Sequence, residues 1–160
     1  MKAEISIRDY QPEDAQVLAH IYYNTIHRIN IQHYTEEQVD VWAPASSLEA
    51  EGWGKKFSRT KPIIATAENQ VVGFAEFEPN GHIDYFYCHH EWIGKGVGSA
   101  LMKEILQRAK NNHIHHIFSS AVSITARPFF EKHRFKVVKE QKMVRKGIEL
   151  TNFKMERRTV

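Results

Sequence analysis

Apolar and polar positions first alternate in pairs: Ile5 and Ile7 stand among polar neighbours, so Ala3 to Arg8 predicts a strand. The period then lengthens. Pro12, Glu13 and Asp14 suit a first helical turn, where proline is tolerated and acids favour the dipole. Leu18, Ile21, Tyr22, Thr25, Ile26 and Ile29 follow mostly at spacings of three and four, which gives this helix one apolar face. Thr35 with Gln38, and Ser46 with Glu49, have capping-box spacing. They predict short helices over 35–42 and 46–59, with Pro44 between and Trp42, Trp53 and Phe57 as apolar anchors, more readily packed onto the core than lining a substrate pocket. After Pro62 the alternation returns. Residues 63–67 and 71–78 read as strands around a turn at Glu68-Asn69-Gln70, and 82–88 as a third strand after the Pro79-Asn80-Gly81 turn. Val97, Leu101, Ile105 and Ala109, four apart, predict a helix over 98–111 that stops at Asn111-Asn112. A strand over 115–122, a short helix over 125–133 and a hairpin of 135–145 with 149–157, turning at Lys146-Gly147, complete the chain. The order β α α α β β β α β α β β indicates a mixed α/β sheet. Its strand–helix–strand unit over 82–122 should cross over right-handed, with the two strands parallel.

The chain has 160 residues, 42% hydrophobic and 26% charged. That length fits one domain, 1–160, and the composition fits a core-forming globular chain. Collagen-like, disordered and low-complexity readings are excluded. The formal net charge of +3 suits an anionic small ligand but lacks the basic block of a nucleic-acid binder. A single cysteine, Cys88, excludes an internal disulfide and a cysteine-based zinc site. No apolar run approaches the roughly 18 residues of a membrane span, and the N-terminus has no secretory apolar region. A reduced, cytoplasmic setting without a membrane partner is therefore expected.

The most informative segment is Ile93-Gly94-Lys95-Gly96-Val97-Gly98-Ser99, which follows a strand and opens a helix. Its glycines allow a ligand to approach the backbone closely. Successive N–H groups can point at one spot, where the helix N-terminus adds about half a positive charge. That is a seat for a phosphate or pyrophosphate, with Lys95 at its rim. No Lys-Ser/Thr follows the last glycine as a P-loop requires, and G-x-G-x-G spacing does not match the G-x-G-x-x-G dinucleotide fingerprint. From spacing alone, phosphate binding and an unliganded glycine loop remain open.

The stretch Ile83-Asp84-Tyr85-Phe86-Tyr87-Cys88-His89, with Gly94 to Leu101 after it, resembles the acetyl-CoA-binding core of the GNAT superfamily of N-acetyltransferases. The run Ala126-Arg127-Pro128-Phe129-Phe130-Glu131-Lys132-His133-Arg134-Phe135 resembles that superfamily's later signature, and the element order fits over essentially all 160 residues. The resemblance implies an α/β (α+β) fold: a mixed, mostly antiparallel twisted sheet whose central parallel pair splays for acetyl-CoA, flanked by helices. It implies acetyl-CoA as co-substrate, with its pyrophosphate on Ile93, Gly94, Lys95, Gly96, Val97, Gly98 and Ser99. Pantetheine is implied along the main chain of Phe86, Tyr87 and Cys88, and Ser123 and Phe130 stand at cofactor-facing positions. There are departures. Ile93 stands where the family has Gln or Arg, and Ser123 where it has Asn. Arg134 replaces a glycine. Phe130 replaces a tyrosine whose hydroxyl protonates the leaving thiolate, so that proton must come from another group or from water. Loss of one acid, worth about 10²–10⁴ in rate, need not abolish transfer, because positioning alone contributes up to roughly 7–11 kcal/mol.

Attack on a thioester needs a neutral amine, hence a base. By period two, His82, Asp84, Phe86 and Cys88 share one strand face, and the resemblance brings catalytic groups to this region. Asp84 and His82 are the catalytic candidates and Glu76 comes next; each is otherwise a solvated or ion-paired strand residue. A lone strand cysteine is more readily a small buried hydrophobe than a nucleophile, so direct transfer in a ternary complex is expected over a covalent acyl-enzyme through Cys88. Ten histidines include the clusters His89-His90 and His113, His115, His116, but there is no HExxH motif, and no metal is expected. The resemblance implies as acceptor a small-molecule or peptide amine, expected to approach from the early helices and Trp42. Substrate choice is assigned to residues 20–60 and the terminal hairpin. Two rivals stand beside the enzyme. One is an acyl-CoA-binding module with little or no turnover, favoured by Phe130 and Ile93. The other is a nucleic-acid binder, supported only by net charge and the basic stretch Lys136 to Lys146, which a solvated edge strand explains better. Dimers are common in families of this resemblance, so a homodimer is among the expected states.

Overall fold

The computed structural model describes residues 4–159. Strand β1 (Ser6–Asp9) leads into a 3-10 turn at Pro12–Asp14 and then α1 (Ala15–Arg28). Ala3, the expected start of the first strand, lies outside the described residues, and pairing begins at Ser6 rather than earlier. The join is held by Arg8, whose guanidinium grips both Asp14 carboxylate oxygens at 2.8 and 2.9 Å. Helix α2 (Glu36–Trp42) carries the expected reciprocal cap: Gln38 N–H donates to Thr35 Oγ1, and Thr35 N–H donates to Gln38 Oε1. The second expected cap does not form. Residues 45–48 make a 3-10 turn tied to itself, with Ser47 Oγ donating to Pro44 O and Trp53 Nε1 donating to Ser47 O. Helix α3 (Ala50–Thr60) therefore starts only after an extended Glu49.

Strands β2 (Ile63–Ala67), β3 (Gln70–Phe77) and β4 (Ile83–Cys88) extend the first sheet in the order β1-β2-β3-β4, all antiparallel. Helix α4 (Val97–Asn111) follows. After it, β5 (His116–Ser123), α5 (Arg127–Lys132) and the hairpin β6 (Lys136–Arg145) with β7 (Ile148–Arg158) make a second antiparallel sheet, ordered β5-β7-β6. Both faces of the first sheet are covered. Ile63 and Ala65 of β2 pack with Leu101, Met102 and Ile105 of α4, while Ile64 and Phe74 pack with Leu18, Ile21 and Ile26 of α1 and Phe57 of α3. Coverage on both sides explains why β2 is buried almost throughout, instead of alternating.

The expected parallel pairing of the third and fourth sequence strands is reduced to one contact. His82 and Phe118 form an isolated parallel bridge, in which Phe118 N–H donates to Gly81 O at 3.0 Å. Beyond this point β4 and β5 diverge and are assigned to separate sheets. The approach is so close at Gly81 (φ +95°) that a Cβ there would strike the His116 carbonyl oxygen. Only glycine accepts both that backbone angle and that contact.

A second difference lies in β4. Phe77 pairs with Ile83 and Ala75 with Phe86, so Glu76 faces both Asp84 and Tyr85. This is a bulge, and it resets the alternation by one residue. Ile83 joins Phe86 and Cys88 in the cluster beneath α4, while Tyr85 and Tyr87 join the cluster beneath α1. The period-two face expected from His82 to Cys88 is broken at Asp84 for this reason.

Gly81→Ala should destabilise the fold by about 2 kcal/mol or more, because strain and collision act at the same backbone position. Urea unfolding followed by tryptophan fluorescence checks this; an unchanged midpoint would contradict the close-approach account.

Candidate active site

Where β4 and β5 part, a cleft of about 550 Å³ opens between β4, β5, α5 and the start of α4. Its walls include Phe86, Tyr87, Cys88, Ile93, Gly94, Gly96, Val97, Gly98, Ser99, Ser123 and Phe130. Lys95 is not among them; its ammonium lies 5.2 Å from the Trp92 ring centroid. Thr25, Asn30 and Trp42 line the cleft from the helical side.

The floor of the cleft is the exposed N-terminus of α4. Gly96, the residue before it, has φ +92° and gives no side-chain cap. The first helical rung is Ala100 N–H to Gly96 O at 3.0 Å. The N–H groups of Val97, Gly98 and Ser99 thus have no partner inside the helix. Helix α2 shows the contrast, since the Thr35 side chain caps its Gln38 N–H. Three free donors at the positive end of a fifteen-residue helix form a seat for an oxyanion.

The wall beside that seat is the open edge of β4. His89 N–H donates to Val72 O at 2.8 Å, which makes that pair and Tyr87 with Phe74 the hydrogen-bonded positions of the antiparallel ladder. The main-chain groups of Phe86 and Cys88 therefore turn away from β3, towards the cleft, whereas those of Tyr87 are spent within the sheet. One of the free groups is already engaged: Thr25 Oγ1 donates to Cys88 O at 2.7 Å. Ser123 stands opposite, its hydroxyl accepting from Asn30 Nδ2 at 3.2 Å and from Ala126 N–H at 3.0 Å. Neither Thr25 nor Asn30 was singled out in the sequence. Their only signal there was a polar residue on the otherwise apolar stripe of α1 and just after it.

Phe130 is buried, in edge-to-face contact with Phe86 and Phe135. It supplies shape to the cleft and no proton. Burial pushes the Cys88 thiol up to about 12, so it is protonated and poorly nucleophilic at neutral pH.

A smaller cavity of about 170 Å³ adjoins the cleft, lined by Tyr22 of α1, Trp42, Tyr85 and residues of the β6–β7 hairpin including Arg145 and Asn152. Trp42, Asp84, Tyr87, Ser119, Ala121 and Ser123 line both spaces. Trp42 is thus a wall residue as well as an anchor, while Trp53 and Phe57 pack in the aromatic cluster with Tyr22 and Phe74.

The three base candidates have different settings. Glu76 is fully buried and holds Lys56 Nζ at 2.8 and 3.0 Å. Asp84 Oδ2 lies 3.3 Å from the same ammonium. Burial alone would lower Lys56, but Glu76 and Asp84 more than reverse it, so the ammonium stays charged. His82 has both ring nitrogens engaged, Nδ1 with Glu78 and Nε2 with Ser120 Oγ at 3.1 Å. Among the described residues, His89, His90 and Glu91 bring ligand-type atoms within 4.8 Å of one another, with His89 Nδ1 already accepting from Glu91 N–H. The first basic strand, β6, is an exposed edge, as its charge pattern implied.

Residues 30–157 match the family model described as an acetyltransferase (GNAT) domain. The chain belongs to the GNAT acetyltransferase family. The uncharacterized N-acetyltransferase YafP of Escherichia coli is 32% identical over 151 residues, 94% of each chain. A GCN5-related N-acetyltransferase of Rhodopseudomonas palustris has the same fold, with TM-score 0.90, 28% identity, and 99% and 98% of the two chains covered. The PaiA N-acetyltransferase of Thermoplasma acidophilum, solved in complex with coenzyme A, aligns at TM-score 0.73 with 20% identity, covering 98% of this chain and 99% of its own. As a GNAT acetyltransferase the protein is an acyltransferase with acetyl-CoA as co-substrate, which favours the enzyme over the non-catalytic module. No described helix is long and apolar enough to cross a membrane.

Two outcomes are expected. Ser99→Asp places a carboxylate at an exposed first-turn position, where the helix itself tolerates it; acetyl-CoA affinity by calorimetry should fall about tenfold or more through charge repulsion, with thermal stability unchanged. The raised Cys88 thiol also sets a pH dependence. A folded value of about 12 against an unfolded value near 8.5 leaves stability intact below about pH 8.5 and erodes it as pH rises towards 12, by about 1.4 kcal/mol per pH unit. Urea midpoints measured from pH 8 to 11 should decline, and Cys88→Ala should flatten that decline.

Proposed function

We propose that the protein transfers the acetyl group of acetyl-CoA directly to a primary amine of a small-molecule or peptide acceptor, with both substrates held in a ternary complex. The observation that carries this reading is the junction of the two spaces, where one wall segment, including Asp84 and Ser123, serves both. The free donors at 97–99 take the diphosphate, and the open edge at Phe86 and Cys88 takes the pantetheine amides as an added strand would. The thioester is then carried to the junction. The amine reaches it from the smaller cavity.

In this reading Asp84 is the base that takes the amine proton, directly or through one water. Three features favour it over its neighbours: Asp84 lines both spaces, Glu76 lines neither, and His82 has both nitrogens occupied. The nitrogen attacks the thioester carbon, the tetrahedral intermediate collapses, and the thiolate leaves. Its proton comes from water or a junction hydroxyl, since Phe130 has none to give. Most of the rate then rests on positioning. A half-buried Cys88 whose thiol is held protonated supports direct transfer over an acyl-enzyme. We read 1–160 as one domain acting in the cytoplasm, a setting that fits its lone reduced thiol.

Asp84→Asn should lower kcat about 10²–10⁴-fold while leaving acetyl-CoA affinity unchanged; His82→Asn should cost far less. Thiol release measured against a panel of amines, with calorimetry in parallel, checks both. Full activity in Asp84→Asn would remove Asp84 from this role.

A further inference from the structure

The lining of the smaller cavity carries charges of both signs, from Asp84 and Arg145. Asp84 lines it at the junction with the cleft, and Asp84, Glu76 and Lys56 together sum to one negative charge. Arg145, at the tip of the β6–β7 hairpin, lines the smaller cavity but not the cleft, whereas Asp84 lines both. Among the described residues no carboxylate pairs with Arg145. The same cavity is lined by Tyr22 and Tyr85, stacked with centroids 5.4 Å apart. Both phenols sense the Arg145 charge, and Tyr85 senses Asp84 as well. A guanidinium that no carboxylate neutralises, bonded to the Tyr22 phenol and sharing a cavity with aromatic rings and an acid, matches a ligand with an anion at one end, a compact apolar body, and an amine at the other.

We infer that the acceptor is a small zwitterion, an amine whose short apolar body bears a carboxylate or similar oxyanion held by Arg145. This rests on the acetyl-transfer reading above and adds the substrate class. Arg145 acts on binding: it aligns the amine with the thioester and takes no part in proton transfer.

The test compares phenylalanine with phenethylamine, and leucine with isoamylamine, as acceptors for the intact protein, Arg145→Gln and Arg145→Lys. The intact protein should favour the carboxylate-bearing member in kcat/KM. In Arg145→Gln that preference should shrink about tenfold or more through KM, and Arg145→Lys should restore part of it. Comparing ratios between protein and variant cancels the different basicities of the amines, and a merely structural role for Arg145 would move both members of a pair alike. A preference unchanged in Arg145→Gln overturns the inference, as does equal use of both members by the intact protein. Calorimetry of the same acceptors with the CoA-loaded protein separates the two readings. Amino-acid binding that is lost in Arg145→Gln, with no amine acetylated, upholds the zwitterion site and defeats acetyl transfer. No binding and no turnover of any carboxylate-bearing amine overturns the inference itself.

Discussion

Two sheets that meet through one hydrogen-bonded bridge and then separate leave two strand edges without partners, and the site is built around that constraint. Gly81 O accepting from Phe118 N–H fixes the apex. Beyond it, β4 and β5 cannot satisfy each other, and their facing main-chain groups must find water or a ligand. Helix α4 begins beside the open edge with its own donors uncapped. Unfilled edge and unfilled helix end face the same volume. A chain that spent those groups internally would be better closed as a sheet and would have no cleft.

Hydrogen bonds tie the helical side of the molecule to this opening at specific atoms. Thr25 holds the carbonyl of Cys88, Asn30 holds the hydroxyl of Ser123, and Tyr34 accepts from Ile124 N–H while donating to Thr151 O. These contacts run from α1 and the segment after it to both separated strands. They brace the opening from outside, so its width follows the packing of α1 and is not left to the strands alone. The same segment delivers Trp42 to the wall shared by both spaces.

Much of this was legible in the chain. Period changes located each strand and helix to within a few residues, and the glycine loop was legible because its chemistry is local: a helix end and its donors lie within seven residues. Features set by partners were not legible. The bulge opposite Glu76 depends on the register that β3 imposes, so counting by twos along β4 alone does not reveal that the alternation breaks at Asp84. Ser46 and Glu49 had cap spacing, yet Ser47 and Trp53 captured the same turn. Thr25 was counted only as part of the apolar face of its helix and Asn30 carried no signal, because their partners are more than 60 residues away. That the pairing between the sheets stops at one backbone bridge among the described residues also lay beyond a strand count, which predicts neighbours without saying how far they stay together.

Ile93 shows what one exchange does to the character of the site. It lines the cleft with 47% of its surface in water, at a position where a polar or charged side chain would stay hydrated. A molecule lying across it removes apolar area from solvent, and the signature of that removal is a negative heat-capacity change on association. In the proposed binding mode, the nucleotide end of the co-substrate lies on this loop, and its association, governed elsewhere by charge, acquires a temperature dependence of the kind seen in core formation.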